Sequence, residues 1–262
     1  MSARVPRLAY AAGSCGLAVF LVSLVAPRLS VPPMLAFATA YAAVTLEILT
    51  LAWAAEKASV LRVSIGCGLC LAVLLGLARA PASAPFAAVL TCALGAGASL
   101  LGAAVGGRIE RPGQLAAVAL VSGVADLWSV FDPSAPSARF AEQALAHPDQ
   151  LALFALPFPL LGTTWLPAII GAGDVAFAAL YVAAFRAHAL SARRAALALL
   201  VAFVIGLVVL VLTLRPIPLL PLLGLAVVLS EPAARSLTGR EWRTVSLVCA
   251  AMISAIALRL SR

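Results

Sequence analysis

Charge is what this chain has least of. Only 11% of its 262 residues are Asp, Glu, Lys or Arg, against 64% apolar residues and a mean hydropathy of +1.11. A water-soluble domain of this length needs far more polar surface, so a soluble fold is excluded. Histidine is nearly absent too: His147 and His188 lie in separate connections and form no metal constellation, so no metal and no other cofactor is expected. The five cysteines lie in apolar runs. Cys67-Gly68-Leu69-Cys70 has the CxxC spacing but lacks the thioredoxin-like context that makes it redox-active, so Cys15, Cys67, Cys70, Cys92 and Cys249 read as small packing residues. No low-complexity tail, strong repeat or soluble domain stands out. The apolar run after Arg4 and Arg7 lacks a convincing small-residue cleavage site and reads as a retained first helix rather than a signal peptide.

What is there is a series of apolar runs, each about as long as the roughly 20 residues that carry a helix across a bilayer core. The spans read 8 to 27, 33 to 55, 60 to 79, 86 to 106, 114 to 131, 165 to 186, 195 to 214, 217 to 231 and 244 to 259. This predicts an all-α, polytopic membrane protein of about nine crossings, multi-pass in the cell membrane of a prokaryote. Pro32-Pro33, Pro81, Pro85, Gly106-Gly107 and Pro112 supply the turns. One integral domain is expected, with N-terminal helices over 1–113, a core over 114–231 and a C-terminal helix over 232–262. The +8 net charge does not predict nucleic-acid binding, because the arginines stand singly between spans and read as topology signals. With the N-terminus in the cytoplasm, that side carries Arg4, Arg7, Lys57, Arg62, Arg108, Arg111, Arg186, Arg193, Arg194, Arg235, Arg240 and Arg243. The other side carries Arg28, Arg79, Arg139, Arg215, Arg259 and Arg262. The larger basic set favours N-inside and places the polar segment 132 to 150 outside.

Against this background the intramembrane acids stand out. Asp126 and Asp174 each lie inside an apolar span, and a carboxylate at that depth is costly enough to be a functional hypothesis by default. One lies before, the other after, the same polar segment, and the rise of a helix puts both roughly 9 to 14 Å below one membrane face. Consecutive antiparallel helices are usually neighbours, so the two acids are expected to face each other. Two carboxyls sharing a site cannot both ionise; one serves as base toward a water and the other as acid toward a carbonyl. Glu47, with Thr45 and Thr50 nearby, is a third deep carboxylate, for which a local hydrogen-bonding or packing role is expected. Trp128 and Trp165, near span ends, read as interfacial anchors.

The neighbouring residues sharpen the reading. The first acid stands in Val124-Ala125-Asp126-Leu127-Trp128-Ser129-Val130-Phe131, followed by Pro133-Ser134-Ala135-Pro136 and Arg139-Phe140-Ala141-Glu142. The second stands in Gly171-Ala172-Gly173-Asp174-Val175-Ala176-Phe177, and Pro218-Leu219-Leu220-Pro221 opens the span after the next helix. The ordered set resembles the GxGD intramembrane aspartyl proteases, the presenilin and signal peptide peptidase family, over roughly residues 120 to 230. There an aspartate on one helix, GxGD on the next and a PALP motif one helix later build the active site. Ala125 stands where that family usually has tyrosine, and PALP has become PLLP. The resemblance implies a presenilin-like catalytic core, with Asp126 and Asp174 catalytic and Gly171, Gly173, Pro218, Leu219, Leu220 and Pro221 against a transmembrane peptide substrate within the lipid bilayer.

Physical reasons accompany each motif. Gly171 and Gly173 clear space beside Asp174 for a strand or helix to approach. Pro218 and Pro221 lack N–H groups, so that span opens with backbone that is not fully bonded and must line protein or water. Leu151 to Gly162, broken by Pro157 and Pro159, is too short to cross and is expected to be re-entrant or interfacial. Two other readings stay open. A prepilin-peptidase-like enzyme also carries GxGD but typically a lysine just after it, where Val175-Ala176-Phe177 stands here. A proton- or cation-coupled transporter would use the same aspartates.

Overall fold

The computed structural model describes the chain except residues 1–6, 56–59, 79, 133–134, 136–137, 140–141, 143–145, 148–151, 214–216 and 261–262. Several positions singled out above, among them Lys57, Pro133, Ser134, Pro136, Phe140, Ala141, Leu151 and Arg215, therefore lie outside the described residues. The fold is predominantly helical: α1 (Arg7–Val25), α2 (Pro33–Ala54), α3 (Val60–Leu77), α4 (Ala84–Gly106), α5 (Gln114–Phe131), α6 (Ala172–Ala187), α7 (Ala192–Thr213), α8 (Leu220–Ser230) and α9 (Gly239–Leu260). Two strands, β1 (Ala155–Pro157) and β2 (Ala168–Gly171), stand before α6.

Among the described residues five helices are long and apolar enough to cross a membrane: α1 with its 3-10 extension to Arg28, α2, α4, α5 and α7. Of the nine expected crossings these five are matched among the described residues; α3 is an apolar helix of 18 residues, and two of the other expected spans are shorter for local causes. The predicted 165 to 186 span begins as strand and becomes helix only at Ala172, leaving α6 with 16 residues. Pro167 supplies no N–H and pushes Leu166 out of helical geometry, while Ile169 and Ile170 are β-branched. The 217 to 231 span is helical only from Leu220, giving an 11-residue helix. Along α7, Leu197, Val201, Val204, Ile205, Val208 and Leu212 are all exposed, a surface suited to lipid rather than water.

The chain divides into two compact units, Met1–Gly107 with Glu142–Ala183, and Arg108–Ala141 with Ala184–Arg262. In the first, α4 packs against α1, α2 and α3, β1 lies on α4, and β2 lies on α2. The strands form an antiparallel hairpin, Ala155 opposite Gly171 and Leu156 opposite Ile170, with an irregularity at Leu156/Pro157. Its closing loop is tied down where Gly162, at φ +85°, donates its N–H to Ala26 O at 2.7 Å. That left-handed conformation suits glycine, and a Cβ would lie 3.0 Å from Leu29 O. The predominantly helical fold agrees with the all-α expectation, with this one short hairpin added: β1 lies within the 151 to 162 segment, and the hairpin ends where the GxGD motif begins. Cys92 Sγ donates to Ala12 O at 3.1 Å, as a cysteine packed between helices does.

In the second unit α8 packs against both α5 and α7, and α9 against α5. α9 opens with a reciprocal cap: the Thr238 N–H donates to Glu241 Oε2 at 2.8 Å, and the Glu241 N–H donates to Thr238 Oγ1 at 3.4 Å. The Thr238 backbone and hydroxyl donors, with the Arg111 guanidinium beside them, hold the Glu241 carboxyl below the usual carboxylate range.

Candidate functional site

Asp126 sits on α5 in the second unit. Its Oδ2 accepts the Leu220 N–H at 2.9 Å, and the Leu219 N–H lies beside the same carboxylate. The contact links two of the three sequence motifs: residues 217–219 are irregular, α8 starts at Leu220, and Asp126 caps it from a different helix. A helix start leaves N–H groups without intrahelical partners, and Pro221 removes one more link, so a carboxylate is the appropriate neighbour. The opposite end is treated with the opposite charge. Arg235 donates from Nε to Val228 O at 3.1 Å and from Nη2 to Leu229 O. An 11-residue helix is marginal alone, and an anion at its start with a cation at its end complements its dipole. Gly123, one turn before Asp126, faces this packing: a Cβ there would make ordinary contact, 3.5 Å from Pro221 Cα. Trp128 Nε1 donates to Asp132 Oδ2 at 2.8 Å, which fastens the end of α5.

Asp174 sits in the first turn of α6, in the first unit. β2 leads into it through Gly171, and the Asp174 carboxylate curls back so that Oδ2 lies 3.4 Å from where a Gly171 Cβ would stand. The two motif glycines therefore differ. A Cβ on Gly171 would touch the aspartate itself, whereas a Cβ on Gly173 would meet nothing within 4 Å, so Gly173 faces open space. Both aspartates are half-buried. Beside Asp174 the apolar packing is strict: Val175, Ala178 and Ala179 on α6 are fully buried.

The alignment of α6 comes from α4. A Cβ on Gly102 would overlap the Ala176 carbonyl and one on Gly106 the Leu180 carbonyl, so these two glycines, four apart, lie directly on backbone groups also four apart. Such a seam needs Gly-x-x-x-Gly, and residues 102–106 spell it. The sequence reading missed it, although the motif was visible. It also missed Tyr41 on α2, a buried residue close enough to the Asp174 carboxylate to feel its charge. No local pattern announces that influence, because residues 41 and 174 come near each other only through the fold.

The remaining candidates are not drawn into a site. Glu47 is 7% exposed, and neither its carboxyl oxygens nor Thr45 Oγ1 has a hydrogen-bond partner, so local hydrogen bonding, one of the two roles expected of it, is not made. His188 Nε2 lies 2.9 Å from Ile109 O, and Trp165 is exposed. Among the described residues no group of three or more His, Cys, Asp and Glu is arranged to hold a metal. No family model matches the chain, and no curated protein or solved structure is significantly similar to it.

Proposed function

We propose that this protein is an intramembrane aspartyl protease of the GxGD type, which cleaves transmembrane or signal-peptide-like helices with a water activated by Asp126 and Asp174. The observation that supports it best is the bond from the Leu220 N–H to Asp126: the first aspartate motif and the proline motif, 94 residues apart, meet at a hydrogen bond of 2.9 Å. In this reading the ionised carboxyl takes the proton of the attacking water while the protonated one donates to the peptide carbonyl, and their titration belongs to the pair. The substrate must arrive unwound, since a bonded helix shields its carbonyls. The β1–β2 hairpin ending at Gly171 offers extended main chain beside the second aspartate motif for an unwound strand to pair with.

The direct test gives the purified full-length chain, in proteoliposomes, a peptide consisting of one transmembrane helix. Fragments cut within the span are expected, and more of them when Gly or Ser replaces Leu near the cut, because weak helix formers unwind at lower cost. No cut under any lipid composition, together with proton-coupled solute uptake by the same vesicles, would replace the protease by a transporter.

The charge distribution adds a direction. With the N-terminus inside and α3 counted as a crossing, α5 runs outward, the orientation of signal peptide peptidases and the inverse of presenilin, which implies substrates whose N-terminus is cytoplasmic. A single cysteine replacing Glu142 in a cysteine-free background is expected to react with an impermeant maleimide added outside. Reaction only after the cytoplasmic face is opened would reverse both the topology and the substrate preference.

A further inference from the structure

Arginine contacts gather four helix ends of the second unit at one end of its bundle. Arg111, just before α5, pairs with Glu241 at the start of α9, and Arg194, at the start of α7, pairs with Glu231 at the end of α8 at 2.9 Å. Arg235 turns back onto the Val228 and Leu229 carbonyls. Both of those glutamates are thereby engaged, and the one further acid here, Glu110, stands in sequence between Arg108 and Arg111. The end remains strongly basic. Arg240 and Arg243, in the first turn of α9 and the next, are exposed, and among the described residues neither pairs with an acid. α9 has two unlike faces. Val245 is buried on the side that packs against α5, whereas a groove of about 480 Å³, lined by Trp242, Arg243, Ser246, Leu247 and Ala250, runs down the side turned away. Charge and an exposed tryptophan stand at its mouth, and apolar side chains line its depth.

We propose that this groove seats an anionic phospholipid: Arg243, with Arg240 one turn earlier, holds the headgroup phosphate, and an acyl chain runs over Leu247 and Ala250. A guanidinium meets phosphate oxygens with two donors at once, and an indole is at home at the level of the headgroups. Ser246, the remaining polar lining group, stands one turn below Arg243, where a glycerol ester carbonyl would accept its hydroxyl. Other occupants fit less well. Free phosphate has no use for the apolar depth of the groove. A second copy of the chain, related by a two-fold axis along the membrane normal, would bring Arg243 against Arg243 at equal depth. In the orientation that the charge distribution favours, this end is cytoplasmic, where the surface potential of anionic lipids attracts such arginines. The inference is independent of the proteolytic reading.

Trp242 fluorescence reports the occupant. The full chain is reconstituted into phosphatidylcholine vesicles containing a minor fraction of phosphatidylglycerol, with one lipid or the other brominated on its acyl chains, since bromine quenches tryptophan on contact. The Trp242 signal is the difference between the native chain and Trp242→Phe. Brominated phosphatidylglycerol is expected to quench it at a mole fraction several-fold below that needed for brominated phosphatidylcholine. Equal quenching by the two would mean surrounding lipid only, and no quenching would mean that protein covers the groove; either overturns the proposal. Arg243→Gln is expected to reduce the preference roughly fivefold, the worth of one arginine at an anionic surface. Arg193→Gln removes an exposed arginine from the same end but outside the groove, and is expected to reduce it less. Equal losses in these two variants would assign the preference to a diffuse potential and overturn the site. Excess inorganic phosphate is expected to leave the quenching unchanged, and relief by phosphate would replace the lipid with a soluble anion. Should Arg243→Gln not fold, native mass spectrometry of the unaltered chain from micelles holding both lipids decides: preferential retention of phosphatidylglycerol supports the site, and equal retention overturns it.

Discussion

Asp126→Asn and Asp174→Asn are each expected to reduce cleavage of a transmembrane peptide on the order of 10³-fold or more, the larger end of what a positioned acid or base contributes. Either substitution alone should cost nearly as much as both, because a pair that passes protons in concert works as a unit. Asparagine is the informative replacement at Asp126 for a structural reason. Its amide oxygen can still accept the Leu220 N–H that the carboxylate now accepts at 2.9 Å, so α8 keeps its cap while the proton chemistry is lost. Asp126→Ala removes both and should also lower stability by about 1 kcal/mol, the usual cost of a missing cap. Kinetics together with thermal unfolding in detergent separate the effects: Asn is expected to lose activity at unchanged stability, Ala to lose both. Full proteolysis by either purified Asn variant would remove that aspartate from the mechanism. Loss of solute uptake in place of proteolysis would assign the same carboxylates to transport.

The helices that the sequence announced well are those bounded by proline or glycine and made of uninterrupted apolar residues. The 33 to 55 and 114 to 131 readings match α2 and α5 to within a residue, and 8 to 27 and 86 to 106 match α1 and α4 to within two. The hairpin was hidden for the reason that hides any short apolar strand. Ala168–Gly171 is a continuous apolar run joined to a longer one, without the alternation that would separate strand from buried helix, and Pro167 with the β-branched Ile169 and Ile170 was the local warning. Distance in sequence hid the rest. The Asp126–Leu220 bond was foreshadowed by motif order alone, and Tyr41 by nothing at all, since its relation to Asp174 exists only once α2 lies against β2. Gly102-x-x-x-Gly106 is a different case: it was present as a local pattern, but a glycine- and alanine-rich chain offers many such spacings, and only the structure shows which one touches another backbone.

That seam carries the second large effect. Gly102→Ala and Gly106→Ala each add one methyl, and in an open helix position the same change usually stabilises by up to about 1 kcal/mol through helix propensity. Here the sign is expected to reverse. The added carbon would overlap the carbonyl of Ala176 or Leu180, which are main-chain groups and cannot rotate aside, so the helices must separate. Overpacking of this kind typically costs about 1–3 kcal/mol, and the double variant should cost more than either. Gly68→Ala is the matched control, because a Cβ on Gly68 meets nothing within 4 Å, and it is expected to be neutral or slightly stabilising. Activity should fall further than stability. Ala176 follows Asp174 by two residues on α6, so any separation moves the carboxylate with it, and a displacement of about 1 Å in a reacting group can cost on the order of 10²-fold in rate. Thermal unfolding and peptide cleavage measured on the three variants check both steps. If Gly102→Ala and Gly106→Ala proved as stable and as active as Gly68→Ala, α6 would not be held at this seam, and the placement of Asp174 would have to come from β2 and α2 alone.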